Sequence, residues 1–414
     1  MSTTVDWSEL PPELIESIGK KLKVHKDYVR FRAVCSNWRR SNPKSPKHLP
    51  SQLPWLMLPQ SSNHNRQSHL RSFFSLSDDK FHRLSLPEAS NIRRRCGSSH
   101  GWLVILEESP SVFLINPLTR VKHHLPPLSS FPNVVNFDFY DVGREYTLRS
   151  SDGDVYNCNL KEMRDSFIKK VVFSSSPSDE GSDYFALAIL NQTGDLAYCK
   201  KGDTLWRFID NAQSYCEDVV YHKGCFYAVS KYGTIAVCDV SGPLPDVSFI
   251  STPPQVGGDM QYLVSLGEEL LLVTRYLELG FDVDQRQLDI FYKTTEFRVC
   301  KLVLDGPLWE IVSKLDEWAL FVGENSSMAF RASDFQGCKG NRIYFTDDYS
   351  EWNYDGANGD HDLGVYDLQD GSVVALPCYT RKFYNGRRWP PPIWITPTAI
   401  CLAFDDSDAC IEEL

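Results

Sequence analysis

The 414-residue sequence lacks the short motifs by which common enzyme families are recognised. It contains no GxGxxG or GxxxxGK[ST] phosphate-binding loop, no HExxH zinc motif and no GxSxG nucleophile motif. His123 and His124 are adjacent, and neighbouring residues of a strand face opposite sides, so we interpret them as surface histidines rather than metal ligands. We therefore expect no catalytic residues, no metal and no cofactor.

The sequence also lacks a long apolar run and any CxxC pair among its 12 cysteines. Its positive charge is concentrated in residues 1–100, which carry 17 Lys and Arg against 8 Asp and Glu, whereas the remainder carries 26 against 46. The net charge is −11, and the acidic bulk argues against sequence-independent binding of nucleic acid. No run approaches the roughly 18 apolar residues of a membrane span. The first ten residues, MSTTVDWSEL, are polar, so we expect no secretory signal, reduced cysteines, and a location in the cytoplasm or nucleus.

What the sequence does contain begins with a short helical head, Trp7 to Arg40. Its first apolar stripe follows Pro11 and Pro12 at helical spacing and consists of Leu14, Ile15, Ile18 and Leu22. Its second stripe predicts another helix and consists of Phe31, Val34, Cys35 and Trp38. Two helices of about three turns cannot bury both stripes alone, so a partner or another domain must cover them.

Beyond the head, the chain shows short β runs separated by turn residues, and 13% of all residues are aromatic. The strongest predicted strand pairs are 69–76 with 81–86, 102–106 with 112–115, 184–199, 224–239, 261–275 with 288–292, and 341–345 with 363–376. The segment 277–287 is predicted to be a polar insert, and a strand near 54–59 is limited by its prolines to a sheet edge or to strand ends. Only 161–170 and 307–314 are candidates for short helices or turns.

A weak repeat favours a β-propeller over a sandwich or barrel. Three segments share a polar turn ending in Gly followed by an aromatic-aliphatic strand, at Gly101, Gly224 and Gly340. Units of roughly 40–50 residues fit propeller blades, and about six to seven blades fit the remaining length. We expect the segment 399–404 to complete the blade that begins near Trp55 and so to close the ring.

The segment Lys382–Trp394 combines aromatic residues, two arginines and three prolines. Trp, Tyr and Arg dominate the energetics of protein interfaces, and proline stiffens a loop that presents them. The predicted substrate-binding residues are Tyr384, Arg387, Arg388, Trp389 and Trp394. The alternative is that these prolines and tryptophans seal the last blade.

Two motifs in the head closely resemble the F-box. They are Leu10-Pro-Pro-Glu-Leu-Ile15, similar to LPxEL, and Phe31-Arg-Ala-Val-Cys-Ser-Asn-Trp-Arg39, similar to VCxxWR. The remainder resembles plant F-box proteins (the SKP-interacting-partner type) with a C-terminal propeller-like domain of unassigned function, through 97–102, 116–119, 363–367 and 390–394. The expected organisation is a mainly β protein with an F-box at 1–45, a linker at 46–54 and a propeller at 55–414.

The resemblance implies a non-catalytic substrate receptor of a Skp–cullin–F-box ubiquitin ligase, which binds a Skp-type adaptor, through it a cullin, and an unknown target protein. By that resemblance the adaptor-contacting residues are Leu10, Pro11, Leu14, Ile15 and Ile18. The residues that complete the module, partly as its core, are Leu22, Phe31, Val34, Cys35 and Trp38. The alternative is a propeller that binds or acts on another ligand, for example a carbohydrate, with the head packed on its own β domain.

Overall fold

The computed structural model describes the head and most of the β region. The described residues are 6–22, 25–43, 48–49, 52–59, 69–90, 93–177, 183–212, 214–251, 257–284, 287–303, 308–349, 361–379 and 391–397. The helices among them are a 3₁₀ turn at Trp7–Glu9, α1 Pro12–Gly19, α2 His25–Arg32, α3 Ser36–Arg40 and α4 Leu160–Glu162, which continues into a π turn at Met163–Phe167. Further 3₁₀ turns are Pro87–Ala89, Leu128–Ser130 and Ala332–Asp334.

The described strands number 28. In chain order they are β1 Trp55–Met57, β2 Leu70–Ser75, β3 Lys80–Ser85, β4 Arg94–Ser99, β5 Trp102–Leu106, β6 Val112–Ile115, β7 Lys122–Leu125, β8 Val134–Phe137, β9 Tyr146–Arg149, β10 Val155–Cys158, β11 Ile168–Phe173, β12 Phe185–Leu190, β13 Leu196–Lys200, β14 Arg207–Phe208, β15 Asp218–His222, β16 Cys225–Val229, β17 Ile235–Asp239, β18 Asp246–Ile250, β19 Met260–Leu266, β20 Glu269–Asp284, β21 Gln287–Val303, β22 Leu308–Val312, β23 Trp318–Val322, β24 Met328–Arg331, β25 Arg342–Phe345, β26 Gly364–Asp367, β27 Val373–Val374 and β28 Ile393–Ile395.

These strands form seven sheets. Blade 1 has the order β28-β1-β2-β3, blade 2 is β4 to β7, blade 3 is β11 to β14, blade 4 is β15 to β18 and blade 5 is β19 to β22. Blade 6 has the order β24-β23-β25-β26-β27, in which β23 and β25 run parallel. The seventh sheet, β8-β9-β10, has only three strands and is called the inserted sheet.

Six of the seven sheets form a ring. The strand that stands first in the order of each sheet lies beside the corresponding strand of the next sheet. β4 lies against β11, β11 against β15, β15 against β19, and β19 against β24, while β28 lies against β4. Between blades 6 and 1, Thr396 Oγ1 donates a 3.0 Å hydrogen bond to Met328 Sδ. The fold is therefore a β-propeller, and six blades agree with the predicted range.

The inserted sheet contributes no strand to the inner circle. It lies in the chain between blades 2 and 3, and its Tyr146 and Leu148 are buried in the same apolar cluster as Trp102 of blade 2 and Val171 of blade 3. Blades 2 and 3 nevertheless touch directly, because Phe173 N donates to Ser99 Oγ at 3.4 Å. The sheet is thus an addition to the ring.

The ring is closed by a strand other than the predicted one. Trp55–Met57 pairs with Ile393–Ile395 on one side and with β2 on the other, so it lies inside the sheet and its prolines flank the strand ends. The predicted closing segment, 399–404, lies outside the described residues. The closure of a blade by strands from both ends of the chain, as predicted, is achieved by β28.

Three other secondary-structure predictions were wrong. The candidate helix at 307–314 contains the strand Leu308–Val312, which pairs with β21. The segment 277–287 is not an insert between strands, because β20 and β21 pair through it from Leu270 to Asp284. The predicted run 261–275 in turn contains the tight turn between β19 and β20. Cross-strand pairing in the long hairpin overrides the polar composition from which the insert was predicted.

Candidate partner-binding site

The first helix of the head begins at two prolines and has two different sides. Pro12 occupies the first turn of α1, where a missing backbone N–H costs nothing. Ile15 is fully buried, whereas Leu14 and Ile18, four residues apart, are 53% and 40% exposed. Ile15 is therefore a core residue of the head, which corrects its predicted contact with the adaptor.

The predicted second helix is two helices, α2 and α3. The helical backbone is interrupted at Cys35, which has an extended conformation. Its Sγ accepts a hydrogen bond from Trp38 N at 3.5 Å. The rings of Phe31 and Trp38 still meet, with centroids 4.4 Å apart. Val34 is left 59% exposed. A cap at Cys35 satisfies the start of α3, so the helical spacing of the stripe is coincidental across this break.

The segment before α1 is tied to α3 by side-chain hydrogen bonds. Trp38 Nε1 donates to Trp7 O at 2.9 Å, and Asn37 Nδ2 donates to Ser8 O at 2.9 Å and to Leu10 O at 3.2 Å. The Trp7 side chain is left 62% exposed. The motif comparison missed Trp7 because it precedes LPxEL, although a solvent-exposed tryptophan next to an apolar stripe is itself a signal of an interface.

The C-terminal end of the head packs on α1 and α2. Tyr28 is buried and donates to Pro43 O at 2.9 Å, while Arg32 Nε donates to Asn42 O at 3.1 Å. The Asn42 side chain packs directly against Gly19, where any Cβ would collide with it. These contacts bury residues of the head without covering its exposed apolar side chains.

We define the head face as the large apolar side chains of the head that are exposed: Trp7, Leu14, Ile18 and Val34. Pro11 is also exposed. The remaining predicted residues are half-buried: Leu10, Leu22, Phe31, Cys35 and Trp38. A head of three short helices has too little core to cover these side chains itself, so the arrangement fits a surface that a partner covers.

The second predicted site is described only at its end. Tyr384, Arg387, Arg388 and Trp389 lie outside the described residues. Trp394 is fully buried in β28, its ring centroid 5.1 Å from that of Phe321 in an edge-on contact. It cannot meet a substrate there, so its predicted binding role is corrected to the alternative of sealing the last blade.

The centre of the propeller holds buried polar groups that sequence reasoning did not identify. The segment 323–327 joins β23 to β24 and crosses the inner strands of other blades. Ser326 N donates to Ser98 O at 2.7 Å, and Ser327 Oγ donates to Asp218 Oδ2 at 2.9 Å. Burial raises the pKa of the Glu324 carboxyl to about 7 against the opposing charges of Arg94 and Arg95.

A second buried network surrounds Arg275 in blade 5. Its guanidinium pairs with Asp362 at 2.9 Å and with Asp348 at 3.2 Å, and it also donates to Thr294 Oγ1 at 2.8 Å. Burial raises the pKa of Asp348 to about 6 despite this pairing. One guanidinium thus joins two buried carboxylates, and all three groups are hydrogen-bonded, as in a buried structural network.

Within the described part of the chain, no cluster of three or more His, Cys, Asp or Glu side chains could hold a metal ion. Helices in that part are also all too short or too polar to cross a membrane.

Comparison with known proteins identifies the propeller. A family model described as the KIB1-4 beta-propeller matches residues 73–367. The chain belongs to the KIB1-4 beta-propeller family. Its relatives include "F-box protein SKIP23" of Arabidopsis thaliana, 32% identical over 95% of this chain and 97% of that protein. "F-box protein At2g17036" from the same plant is 26% identical over 95% of both chains.

These relatives confirm the predicted kind of protein, a plant-type F-box protein with a C-terminal propeller. The KIB1-4 match begins inside β2 and ends at β26, so it covers most of the ring. Among solved structures, TolB from Acinetobacter baumannii aligns over 89% of this chain and 72% of its own, with 10% identity and a TM-score of 0.39. That likeness supports no inference about the function of this KIB1-4 propeller.

Proposed function

We propose that this protein is the substrate-recognition subunit of a Skp–cullin–F-box ubiquitin ligase. The head binds a Skp-type adaptor, and the propeller binds a target protein for ubiquitylation. The protein itself has no active site, and it works in the cytoplasm or nucleus. Names of the relatives as F-box proteins support this proposal, although those names specify neither the adaptor nor the target.

One observation carries the proposal: the head face is exposed although the head has a core of its own. Ile15 and Tyr28 fill that core, while Leu14, Ile18 and Val34 remain at the surface. Fully burying an aliphatic side chain of this size is favourable by about 1.5–3 kcal/mol, and covering the exposed 40–59% of each of the three gains about half of that per residue. The alternative is that the head packs on its own propeller. The exposure of these side chains with the propeller present gives that alternative no support.

The adaptor contact is tested with the variant Leu14→Ser/Ile18→Ser in the full chain. We expect its dissociation constant for a purified Skp-type adaptor, measured by calorimetry, to rise by about tenfold or more, because two central apolar contacts are lost. Leu244→Ser is the matched control, since Leu244 is 80% exposed but lies in a turn of blade 4. A wild-type chain that does not bind the adaptor, or a head variant that binds equally well, contradicts the proposal.

The ubiquitylation role needs a separate measurement. Proteins that associate with the chain in cells are quantified with and without the chain and with and without proteasome inhibition. We expect at least one associated protein to accumulate when the chain is removed or the proteasome is blocked. If no associated protein changes in abundance, the degradation role is wrong even if the adaptor binds.

A further inference from the structure

The inserted sheet ends in a turn that presents large apolar side chains to solvent. We define the tip as residues 138–145, which connect β8 to β9. Phe139 is 52% exposed, Tyr140 89% and Val142 86%. The Phe139 and Tyr140 rings lie edge to face with centroids 6.1 Å apart, and Val142 is exposed two residues further along the turn. Large apolar side chains grouped at the surface in this way are typical of an interaction site.

The tip is held in one conformation by its own polar groups. Asp138 N donates to Glu145 O at 2.9 Å, and Tyr140 N donates to Asp138 Oδ1 at 2.9 Å. The Glu145 carboxylate accepts from Gly143 N at 3.0 Å and from Leu160 N at 3.2 Å. A turn ordered in this way presents its apolar side chains to a partner with little further loss of conformational entropy.

The base of the tip is anchored in the propeller. Tyr146 and Leu148 are fully buried in the cluster shared by blades 2 and 3, and the Phe137 and Tyr146 rings lie 4.7 Å apart. The apolar residues of the inserted sheet are therefore divided between two surfaces. One set secures the sheet to the ring, and the residues of the tip are left over.

The inserted sheet that carries the tip is acidic. Residues 134–158 hold five Asp and Glu against two Lys and Arg, a net charge of −3. At the tip itself Asp138 and Asp141 are exposed beside the aromatic side chains, together with one cation, Arg144. This charge favours a cationic partner and repels nucleic acid and anionic membranes.

We propose that the tip is a docking surface for a protein segment that combines apolar side chains with Lys or Arg. Phe139, Tyr140 and Val142 bind the apolar side chains, and the surrounding carboxylates attract the cations. The segment belongs to the protein that is to be ubiquitylated, and this last statement alone rests on the proposed function.

A display library of random peptides, selected on the full-length protein, tests the proposal. We expect enriched peptides to carry Lys or Arg next to apolar residues. A synthetic copy of the best peptide is expected to bind Phe139→Ser/Tyr140→Ser/Val142→Ser about tenfold or more weakly than wild type, measured by fluorescence anisotropy. Leu244→Ser/Val374→Ser is the matched control, because both residues are exposed elsewhere on the propeller and the peptide should bind it as it binds wild type.

Raising the salt concentration from about 0.05 to 0.5 M should lower the affinity of the peptide for the protein several-fold, since exposed charge pairs are screened. The proposal is overturned if no peptide is enriched, if the enriched peptides are not basic, or if the tip variant binds as well as wild type. Both variants should melt within about 2 °C of wild type, because exposed side chains contribute little to stability. The variant Leu14→Ser/Ile18→Ser should still bind the peptide but no longer bind the adaptor. Failure of one proposal can therefore be distinguished from failure of the other.

Discussion

Lys170 Nζ lies 2.6 Å from Asp218 Oδ1, and both side chains are buried where the first strands of blades 3 and 4 meet. The second carboxylate oxygen of Asp218 accepts from Leu263 N of blade 5 at 3.1 Å and from Ser327 Oγ. One carboxylate thus links three blades to the segment 323–327. The centre of this propeller is held by polar contacts as well as by apolar packing.

We predict that Asp218→Asn lowers the free energy of unfolding by about 3–5 kcal/mol, because it leaves the Lys170 ammonium buried without its counter-charge. Adding Lys170→Met should recover part of this loss, since the buried cation is then gone and the amide oxygen still accepts hydrogen bonds. Urea unfolding of Asp218→Asn, Lys170→Met and the double variant measures the three losses. A double variant whose loss equals the sum of the single losses would show that the pair is not coupled.

The second prediction concerns pH and Glu324. Burial raises the pKa of this carboxyl from 4.5 to about 7, so the folded protein binds its proton more tightly than the unfolded chain. The resulting contribution to stability is full below about pH 4.5 and is lost as the pH rises through 7. Glu324→Gln should therefore raise the melting temperature relative to wild type at pH 8 and change it little at pH 5. Equal effects at the two pH values would rule out this titration.

The third prediction separates helix propensity from packing in the head. Propensity alone says that Gly19→Ala stabilises α1 by about 1 kcal/mol. The Asn42 side chain occupies the space of the new Cβ, so we expect the substitution to destabilise the head instead. Hydrogen exchange of the α1 amides measures the sign. Gly19→Ala/Asn42→Ala, which removes the obstructing amide, should restore protection, and protection that rises in the single variant would refute the packing argument.

The fourth prediction distinguishes a core tryptophan from a binding one. Trp394→Ala should lower the free energy of unfolding by about 3–5 kcal/mol, because it opens a cavity in the blade that joins both ends of the chain. Circular dichroism during chemical denaturation provides the value. A variant of unchanged stability would indicate that Trp394 is not packed as described.

Much of the propeller was predictable because its turns depend on local chemistry. His100-Gly101 and Lys223-Gly224 both have positive φ angles, as tight hairpin turns require, and each joins the first two strands of a blade. The third repeat, at Gly340, shares the spelling but not the structure. It leads into β25, which pairs in parallel with β23, because the chain reverses direction into β24 and again before β25.

In the head, the apolar stripes predicted an uncovered surface but not its membership. Ile15 and Leu14 are adjacent in the same stripe, yet one is buried and the other exposed. The apolar stripe on α1 is wider than the surface that one neighbouring helix covers. Which of its residues are buried is therefore decided by how α2 and α3 pack. The hydrogen bond from Trp38 Nε1 to Trp7 O likewise joins residues that are too far apart in the sequence for helical periodicity to predict their contact.

Turn residues and a weak repeat in the sequence favoured a β-propeller, and two short motifs predicted the helical head, because hairpins and helix starts depend on neighbours in the chain. The tertiary structure alone decided that six sheets form the ring, that β28 closes it, and that Asp218 and Lys170 meet at its centre. Those contacts join residues that are distant in sequence, and their free energy comes from burial and charge pairing that no local pattern encodes. For the tip, the sequence shows the apolar residues, and only the tertiary structure shows that they lie outside the core, where a partner can reach them.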